Sequence, residues 1–226
     1  MNLLKFFSWL ILVSFILFIK FTMPFSIKET LSPSYTFILA DKALKEFNRT
    51  LAIFFWLKLI KYHSEEELIA YTLPAIEVKE EDWRQDKDIL PLLYIITELD
   101  PHFVEAYDLG GYQLAINLKK INEGITFLQR GIERNPQSFA LNFRLGFVYF
   151  HYKMYAKAIP YFLKAVELTK DNLELFNTLK LIGFSYWRLN RLDKAYYYFK
   201  QAIQIYPQDK KTRNFIDKLR KDMIKK

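Results

Sequence analysis

The chain has 226 residues, with no cysteine, only 6 glycines, and aromatic residues making up 18% of the sequence. Lys and Arg number 33 against 25 Asp and Glu, so the formal net charge is +8. This composition excludes a disulfide scaffold and a thiolate metal site, and it argues against Gly-rich phosphate loops and turn-dense β folds. The aromatic content sets the chain apart from disordered proteins, so we expect a folded core.

The N-terminus carries an uncharged apolar run. Residues 6–19 read FFSWLILVSFILFI, with Lys5 before them and Lys20 after them. A helix of this length rises only about 21 Å, so crossing a bilayer requires flanking residues and lysines that reach to the interface. No small-x-small cleavage site follows. We predict a transmembrane signal anchor within residues 1–25, with the rest of the chain outside the cytoplasm. A cleaved signal peptide is the alternative.

Residues 34–88 have a helical but irregular pattern. Between residues 35 and 62 apolar side chains recur at steps of three and four residues, at Leu39, Ala43, Leu44, Phe47, Leu51, Phe54, Phe55 and Leu59. The following stretch 77–88, EVKEEDWRQDKD, is mostly charged and predicts a solvated acidic loop.

Two segments near the C-terminus repeat one residue pattern at a distance of 37 residues. The first set is Leu145, Gly146, Tyr149, Ala158, Phe162 and Ala165, and the second is Ile182, Gly183, Tyr186, Ala195, Phe199 and Ala202. Small residues at fixed places allow two helices to approach closely, and aromatic residues fill the space between successive pairs. An earlier copy keeps Gly124, Leu128 and Gly131, but its Gly110-Gly111 pair is displaced by one or two positions.

This pattern resembles the tetratricopeptide repeat, a helix–turn–helix unit of 34 residues. The resemblance covers residues 89–226 and implies an all-α fold, a right-handed α-solenoid. Its repeats are a half repeat at 89–101 and full repeats at about 105–136, 139–171 and 176–207. With the N-terminal anchor, the chain is also similar to bacterial envelope repeat proteins.

Residues 209–226 predict a basic C-terminal helix that caps the solenoid. Phe215, Ile216, Leu219 and Met223 fall on one face of this helix, and eight Lys and Arg surround them against three Asp. A solenoid needs a polar-backed amphipathic helix to close its open end. A basic tail that binds nucleic acid or lipid is the alternative.

The resemblance also places a peptide groove along the first helix of each repeat. The residues that it assigns to this groove are Phe143, Phe147, Phe150, Asn177, Lys180, Phe184, Trp187 and Arg188. Aromatic anchors favour an apolar or aromatic ligand. Lys180 matches one lysine of the family's carboxylate clamp, but Phe184 replaces the clamp's Asn one turn later. The alternative for these aromatic side chains is packing against neighbouring repeats.

These observations favour binding over catalysis. The histidines, His63, His102 and His151, lie in separate elements without metal-ligand spacing, and no nucleophile elbow is present. We expect no cofactor, no metal and no enzymatic activity. The predicted function is a scaffold anchored in the bacterial inner membrane that binds a partner protein during envelope assembly. A helical repeat protein that binds nucleic acid or an anionic surface through its basic C-terminal half is the alternative.

Overall fold

The computed structural model describes residues 41–57 and 89–224. Every regular element in these two ranges is a helix, so the all-α prediction is confirmed for them. None of these helices has both the length and the apolar character needed to cross a membrane. The predicted anchor at residues 1–25 and the acidic loop at 77–88 lie outside the described residues.

The described residues fall into two compact units, one with 41–57 and 94–100 and the other with 89–93 and 101–224. In the first unit, residues 41–57 form helix α1, and helix α2 (Ile89–Leu99) contributes its second half. Ala52, Ile96 and Leu99 are buried there, whereas Phe54 and Leu57 of α1 remain more than half exposed.

The second unit is a series of antiparallel helix pairs. Its elements are α3 (Val104–Tyr112) with a π-helical extension (Gln113–Asn117), α4 (Ile121–Arg134), α5 (Phe139–His151), α6 (Tyr155–Leu168), α7 (Asn172–Arg188), α8 (Leu192–Ile205) and α9 (Lys210–Ile224). Helix α3 packs on α4, α5 on α6, and α7 on α8, while α9 packs on α8. Each pair also contacts the next one along the chain.

Glycine permits the close crossing within each pair. A Cβ added at Gly146 would lie 2.7 Å from the ring of Phe162, and one at Gly183 would lie 3.0 Å from the ring of Phe199. Such distances lie inside van der Waals contact, so a larger residue would push the two helices apart. The two repeats therefore use the same small residue and the same aromatic ring at the crossing.

The first pair has one extra residue in its first helix. Its crossing glycine is Gly111, whose added Cβ would meet Leu128, and Gly111 lies eight residues before the turn residue Lys119. The corresponding distance from Gly146 to the turn residue Lys153 is seven residues. The π-helix Gln113–Asn117 absorbs the extra residue, because each π turn holds one residue more than an α turn. This explains why the glycine pair of this copy is displaced in the sequence.

The turns inside and between the pairs use different chemistry. Within each pair the turn residue adopts a left-handed conformation, at Lys119, Lys153 and Asn190 with φ of 59°, 59° and 58°. Between pairs, a side chain accepts from the first turn of the next helix. Ser138 does this for α5, Asp171 for α7 and Asp209 for α9. Such caps satisfy backbone donors that a helix start leaves unpaired.

Helix α9 closes the last pair with its apolar face. Ile216 and Leu219 are buried in one cluster with Leu192, Ala195 and Phe199 of α8. Because these side chains exclude water from the end of α8, α9 contributes to the core of the second unit as well as to its surface.

Candidate peptide-binding surface

A row of aromatic rings follows one face of α5. Phe139, Phe143, Phe147 and His151 succeed one another at four-residue steps, and we call them the α5 ladder. Their ring centroids are 5.5, 6.5 and 6.4 Å apart, and the first two pairs are stacked with interplanar angles of 24° and 17°. The three Phe rings are half-buried, whereas His151 is exposed. The ladder leaves part of its ring surface exposed to solvent. It lies on the helix face to which the sequence analysis assigned the peptide groove.

Phe150 lies beside the ladder but points to α6. Its ring meets Tyr155 edge-on at 5.5 Å and Phe162 at 6.3 Å. The ring of Phe143 also lies 5.8 Å from that of Phe162, so Phe143 belongs both to the ladder and to the junction between the two helices of the repeat, while Phe150 belongs to the junction.

On α7, two of the predicted groove residues pack against α9. The ring of Phe184 lies 4.6 Å from that of Phe215, and the indole of Trp187 lies 6.0 Å from the same ring. Phe199 of α8 contacts all three of these rings. We call Phe184, Trp187, Phe199 and Phe215 the α9 cluster. The Lys218 ammonium lies 5.3 Å from the Trp187 ring centroid, on the outside of the cluster.

Lys180 is also held within the chain. Its ammonium lies 3.7 Å from a carboxylate oxygen of Asp209 and 4.4 Å from the ring centroid of Phe176. Asp209 accepts from the backbone N–H and from the hydroxyl of Thr212. The hydroxyl hydrogen bond, together with the nearby Lys180 charge, lowers the pKa of the Asp209 carboxyl despite its partial burial. Lys180 therefore neutralises a helix cap, and a ligand carboxylate would have to compete with Asp209 for it.

The last two predicted residues are exposed on α7. Asn177 lies near the start of the helix, and Arg188 ends it. The Arg188 guanidinium lies 5.8 Å from the ring centroid of Tyr155, which also touches Phe150. Arg188 is thus a solvent-accessible cation at the end of the groove face where His151 is exposed on α5.

An ion pair fixes the ladder helix against α3. Arg144 donates from Nε and Nη2 to the two oxygens of Asp108, at 2.7 and 2.8 Å, and its guanidinium lies 4.9 Å from the Tyr112 ring centroid. Burial acts to lower the pKa of Arg144, but the hydrogen bonds and charge of Asp108 outweigh it and raise this pKa. Two parallel hydrogen bonds set the angle between the helices more tightly than a single contact.

Sequence reasoning missed Phe139, Phe215 and the Asp108–Arg144 pair. Phe139 precedes Phe143 by one helical step of four residues, so helical periodicity alone could have added it to the groove. Phe215 was assigned to the cap, but nothing in the sequence indicated which rings of α7 it would cover. In the described part of the chain, no group of three His, Asp or Glu side chains is arranged to hold a metal ion.

Residues 137–208, which include α5 to α8, match the model of the tetratricopeptide repeat family. A curated relative, anaphase-promoting complex subunit 3 of Dictyostelium discoideum, is 32% identical over 110 residues. That match covers 48% of this chain but only 11% of the relative, so the chain spans about a tenth of the relative's length.

Two solved structures share the arrangement of helices. MamA 41-end from Desulfovibrio magneticus RS-1 has a TM-score of 0.50 and 21% identity, covering 66% of this chain and 88% of that one. The structure MamA MSR-1 C2 has a TM-score of 0.51 and 20% identity, covering 74% and 87%. At this level of identity the likeness establishes the fold.

Proposed function

We propose that this protein is a membrane-anchored scaffold whose α5 ladder binds an apolar or aromatic segment of a partner protein. The observation that supports this proposal is the ladder itself, three stacked phenylalanine rings that remain partly exposed on α5. Aromatic side chains supply large contact area at little conformational cost, and they dominate the energetics of protein interfaces. Tetratricopeptide repeats at residues 137–208 provide the preformed support.

The partner segment is expected to be apolar at its centre and acidic toward one end. The ladder offers ring surface, and the exposed His151 and Arg188 lie at the C-terminal ends of α5 and α7. A carboxylate on the partner would pair with the Arg188 guanidinium, which is oriented by Tyr155. Lys180 is assigned no such role, because Asp209 already neutralises it.

The location is part of the same proposal. The uncharged run at residues 6–19 supports insertion into a bilayer, and the absence of a cleavage motif after it supports retention as an anchor. We place the anchor in the bacterial inner membrane with the repeats on the extracytoplasmic side, where the scaffold would act in envelope assembly. Binding without catalysis is proposed, since no residue of the groove face is arranged for acid–base or nucleophilic chemistry.

Site-specific photo-crosslinking in cells tests the binding surface. A benzoyl-phenylalanine probe at position 147 reports on the ladder, and the same probe at Tyr197 is the matched control, since Tyr197 is 55% exposed on α8. We expect a discrete adduct from position 147 that is lost when Phe139→Ser is added. Equal adducts from both positions would refute the ladder as the binding surface.

The anchor is tested separately by extracting membranes at alkaline pH. A protein anchored through residues 1–25 stays with the bilayer, while a peripheral or secreted form is released. Protease protection of the repeats in spheroplasts against inverted vesicles then assigns the side of the membrane. Release at alkaline pH would overturn the anchor and leave the binding surface standing.

A further inference from the structure

Helix α9 presents an outer face of almost one charge sign. Phe215, Ile216, Leu219 and Met223 pack toward α7 and α8, and most of the charged side chains of the helix are exposed. The exposed cations are Lys210, Lys211, Arg213, Lys218, Arg220 and Lys221, and Asp217 is the exposed carboxylate among them. A helix that only needs a soluble outer face is served equally well by mixed charges. The exposed side of α4, with Glu123, Glu133 and Arg134, is of that mixed kind.

Most of these cations have no ion-pair partner in the described ranges. Among the residues that the structure describes, Lys210, Lys211, Arg213 and Lys221 form no ion pair, while Arg220 lies 3.8 Å from Asp217 and donates to the Tyr196 hydroxyl. Close like charges raise the free energy of the isolated protein, and an anionic surface relieves this repulsion. The face is therefore complementary to an extended array of negative charge.

An exposed aliphatic side chain lies at the end of the same helix. Ile224 is 85% exposed, and it falls on the same side of α9 as Arg213 and Arg220. An apolar side chain among Lys and Arg is the composition of helices that lie in the headgroup region of a bilayer. A surface that binds single-stranded nucleic acid usually also carries exposed aromatic side chains on which the bases stack. The aromatic residue of α9 is Phe215, and its ring packs against Phe184.

We propose that the outer face of α9 docks on the anionic headgroups of the bilayer. The inference rests in part on the proposed anchor, which brings the repeats to the membrane. Docking at α9 would give the solenoid a second attachment and fix the direction in which the α5 ladder faces. The interaction is electrostatic, so it weakens as salt shortens the Debye length.

The test uses the full chain in vesicles. Because the chain contains no cysteine, Ile224→Cys gives a single site for a nitrobenzoxadiazole label, whose emission shifts to the blue in a bilayer. Vesicles of phosphatidylcholine alone are compared with vesicles of equal parts phosphatidylcholine and phosphatidylglycerol. We expect the blue shift only with phosphatidylglycerol, and we expect added salt to reverse it.

Two charge-reversal variants show whether docking depends on the outer face of α9 or only on the net charge of the protein. The test variant is Lys211→Glu/Arg213→Glu/Lys221→Glu, and the control is Lys119→Glu/Lys153→Glu/Lys170→Glu, three exposed lysines outside α9 with the same change in net charge. Loss of three cations from the face is expected to weaken docking roughly 100-fold, while the control stays close to wild type. Circular dichroism checks that both variants remain helical. Equal behaviour of the two variants would overturn the proposal.

The same labelled chain and variants also distinguish two other outcomes: failure of the proposed anchor, and binding of nucleic acid in place of lipid. A chain that is released from phosphatidylcholine vesicles at alkaline pH but still shows the label shift with phosphatidylglycerol would refute the anchor and support α9 docking. Tighter binding to a labelled single-stranded oligoribonucleotide than to anionic vesicles, lost in Lys211→Glu/Arg213→Glu/Lys221→Glu, would assign the face to nucleic acid and overturn docking on lipid.

Discussion

Phe147 and Phe184 occupy the same place in successive repeats, 37 residues apart, yet their surroundings differ. Phe184 is enclosed by Trp187, Phe199 and Phe215, with ring distances of 4.6 to 6.1 Å. Within the described residues, the aromatic neighbours of Phe147 lie on its own helix, at Phe143 and His151. Both rings are partly buried, but Phe184 packs against rings of two other helices, whereas the aromatic neighbours of Phe147 among the described residues are on α5.

The surroundings of Phe147 and Phe184 differ because the first helices of the following units, α7 and α9, carry different residues at the equivalent position. Counting 37 residues back from Phe215 leads to Thr178 on α7, a buried side chain whose hydroxyl donates to the Glu174 carbonyl. A threonine cannot cover an aromatic ring as a phenylalanine does. The following helix thus brings a phenylalanine to Phe184 and a threonine to the equivalent position beside α5.

The largest effect is expected from removing the covering ring. Phe215→Ala should lower the free energy of unfolding by about 3 kcal/mol, since it leaves a cavity beside Phe184, Trp187 and Phe199. Urea unfolding followed by circular dichroism measures the loss. If the variant loses less than about 1 kcal/mol, then α9 does not contribute to the core as its contacts indicate.

The two equivalent phenylalanines should differ in what they stabilise. Phe184→Ala is expected to cost about 3 kcal/mol of stability, whereas Phe147→Ala should cost about 1 kcal/mol, because its ring is bounded by fewer buried groups. Phe147→Ala should instead remove the crosslinked partner. Equal losses of stability from the two substitutions would show that the extra ring contacts of Phe184 do not stabilise the fold.

The cap of α9 should respond to both mutation and acid. Asp209→Ala removes the N-cap and the Lys180 ion pair, at a cost of about 1–2 kcal/mol, while Asp209→Asn keeps the cap and should cost less. The pKa of Asp209 is lower in the folded protein than the unfolded value of about 3.9. Its contribution is therefore present above pH ~4 and is lost as the pH falls through the folded pKa.

This pH dependence is checked by comparing wild type with Asp209→Asn. The difference in free energy of unfolding between them should shrink as the pH falls below 4, because protonation then removes the same charge from the wild type. A difference that stays constant to lower pH would show that the Lys180 ion pair does not act through the Asp209 carboxylate.

The smallest effect is expected in the turns that end α5 and α7. Lys153 has a left-handed backbone that costs a side-chain-bearing residue roughly 1 kcal/mol, so Lys153→Gly should stabilise the protein by about 0.5 kcal/mol. Asn190→Gly should gain less, since asparagine tolerates this conformation better. Thermal unfolding of the two variants, measured side by side, tests this order. Destabilisation by Lys153→Gly would mean that the lysine side chain makes a contact that outweighs the backbone cost.

Much of the fold was predictable from short-range pattern. Gly146 with Phe162 and Gly183 with Phe199 recur at a separation of 16 residues, and in both repeats the structure brings the predicted glycine against the predicted ring. The extra residue of the first pair was visible only as a displaced glycine pair. The structure shows that a π-helix accommodates this extra residue, because backbone hydrogen bonds there span five residues, as from the Leu118 N–H to the Gln113 carbonyl.

The candidate site was less predictable, because it depends on side chains from different helices. Sequence placed Lys180, Phe184 and Trp187 in the groove, and the structure pairs Lys180 with Asp209 and packs both rings on Phe215. The site prediction stays a prediction for all eight residues, of which Asn177 and Arg188 are exposed and the other six are partly buried.

The sequence by itself determined the helical class, the repeat spacing and the residues at each crossing, because these follow from periodicity within about 16 residues of chain. Only the tertiary structure decided which aromatic rings pack against a ring from a following helix. Coverage of Phe184 depends on a ring about 30 residues further along, on a helix that reaches it through packing. Local periodicity determines which face of a helix a residue occupies. The contacts of that face depend on the size of the side chains that the neighbouring helix packs against it.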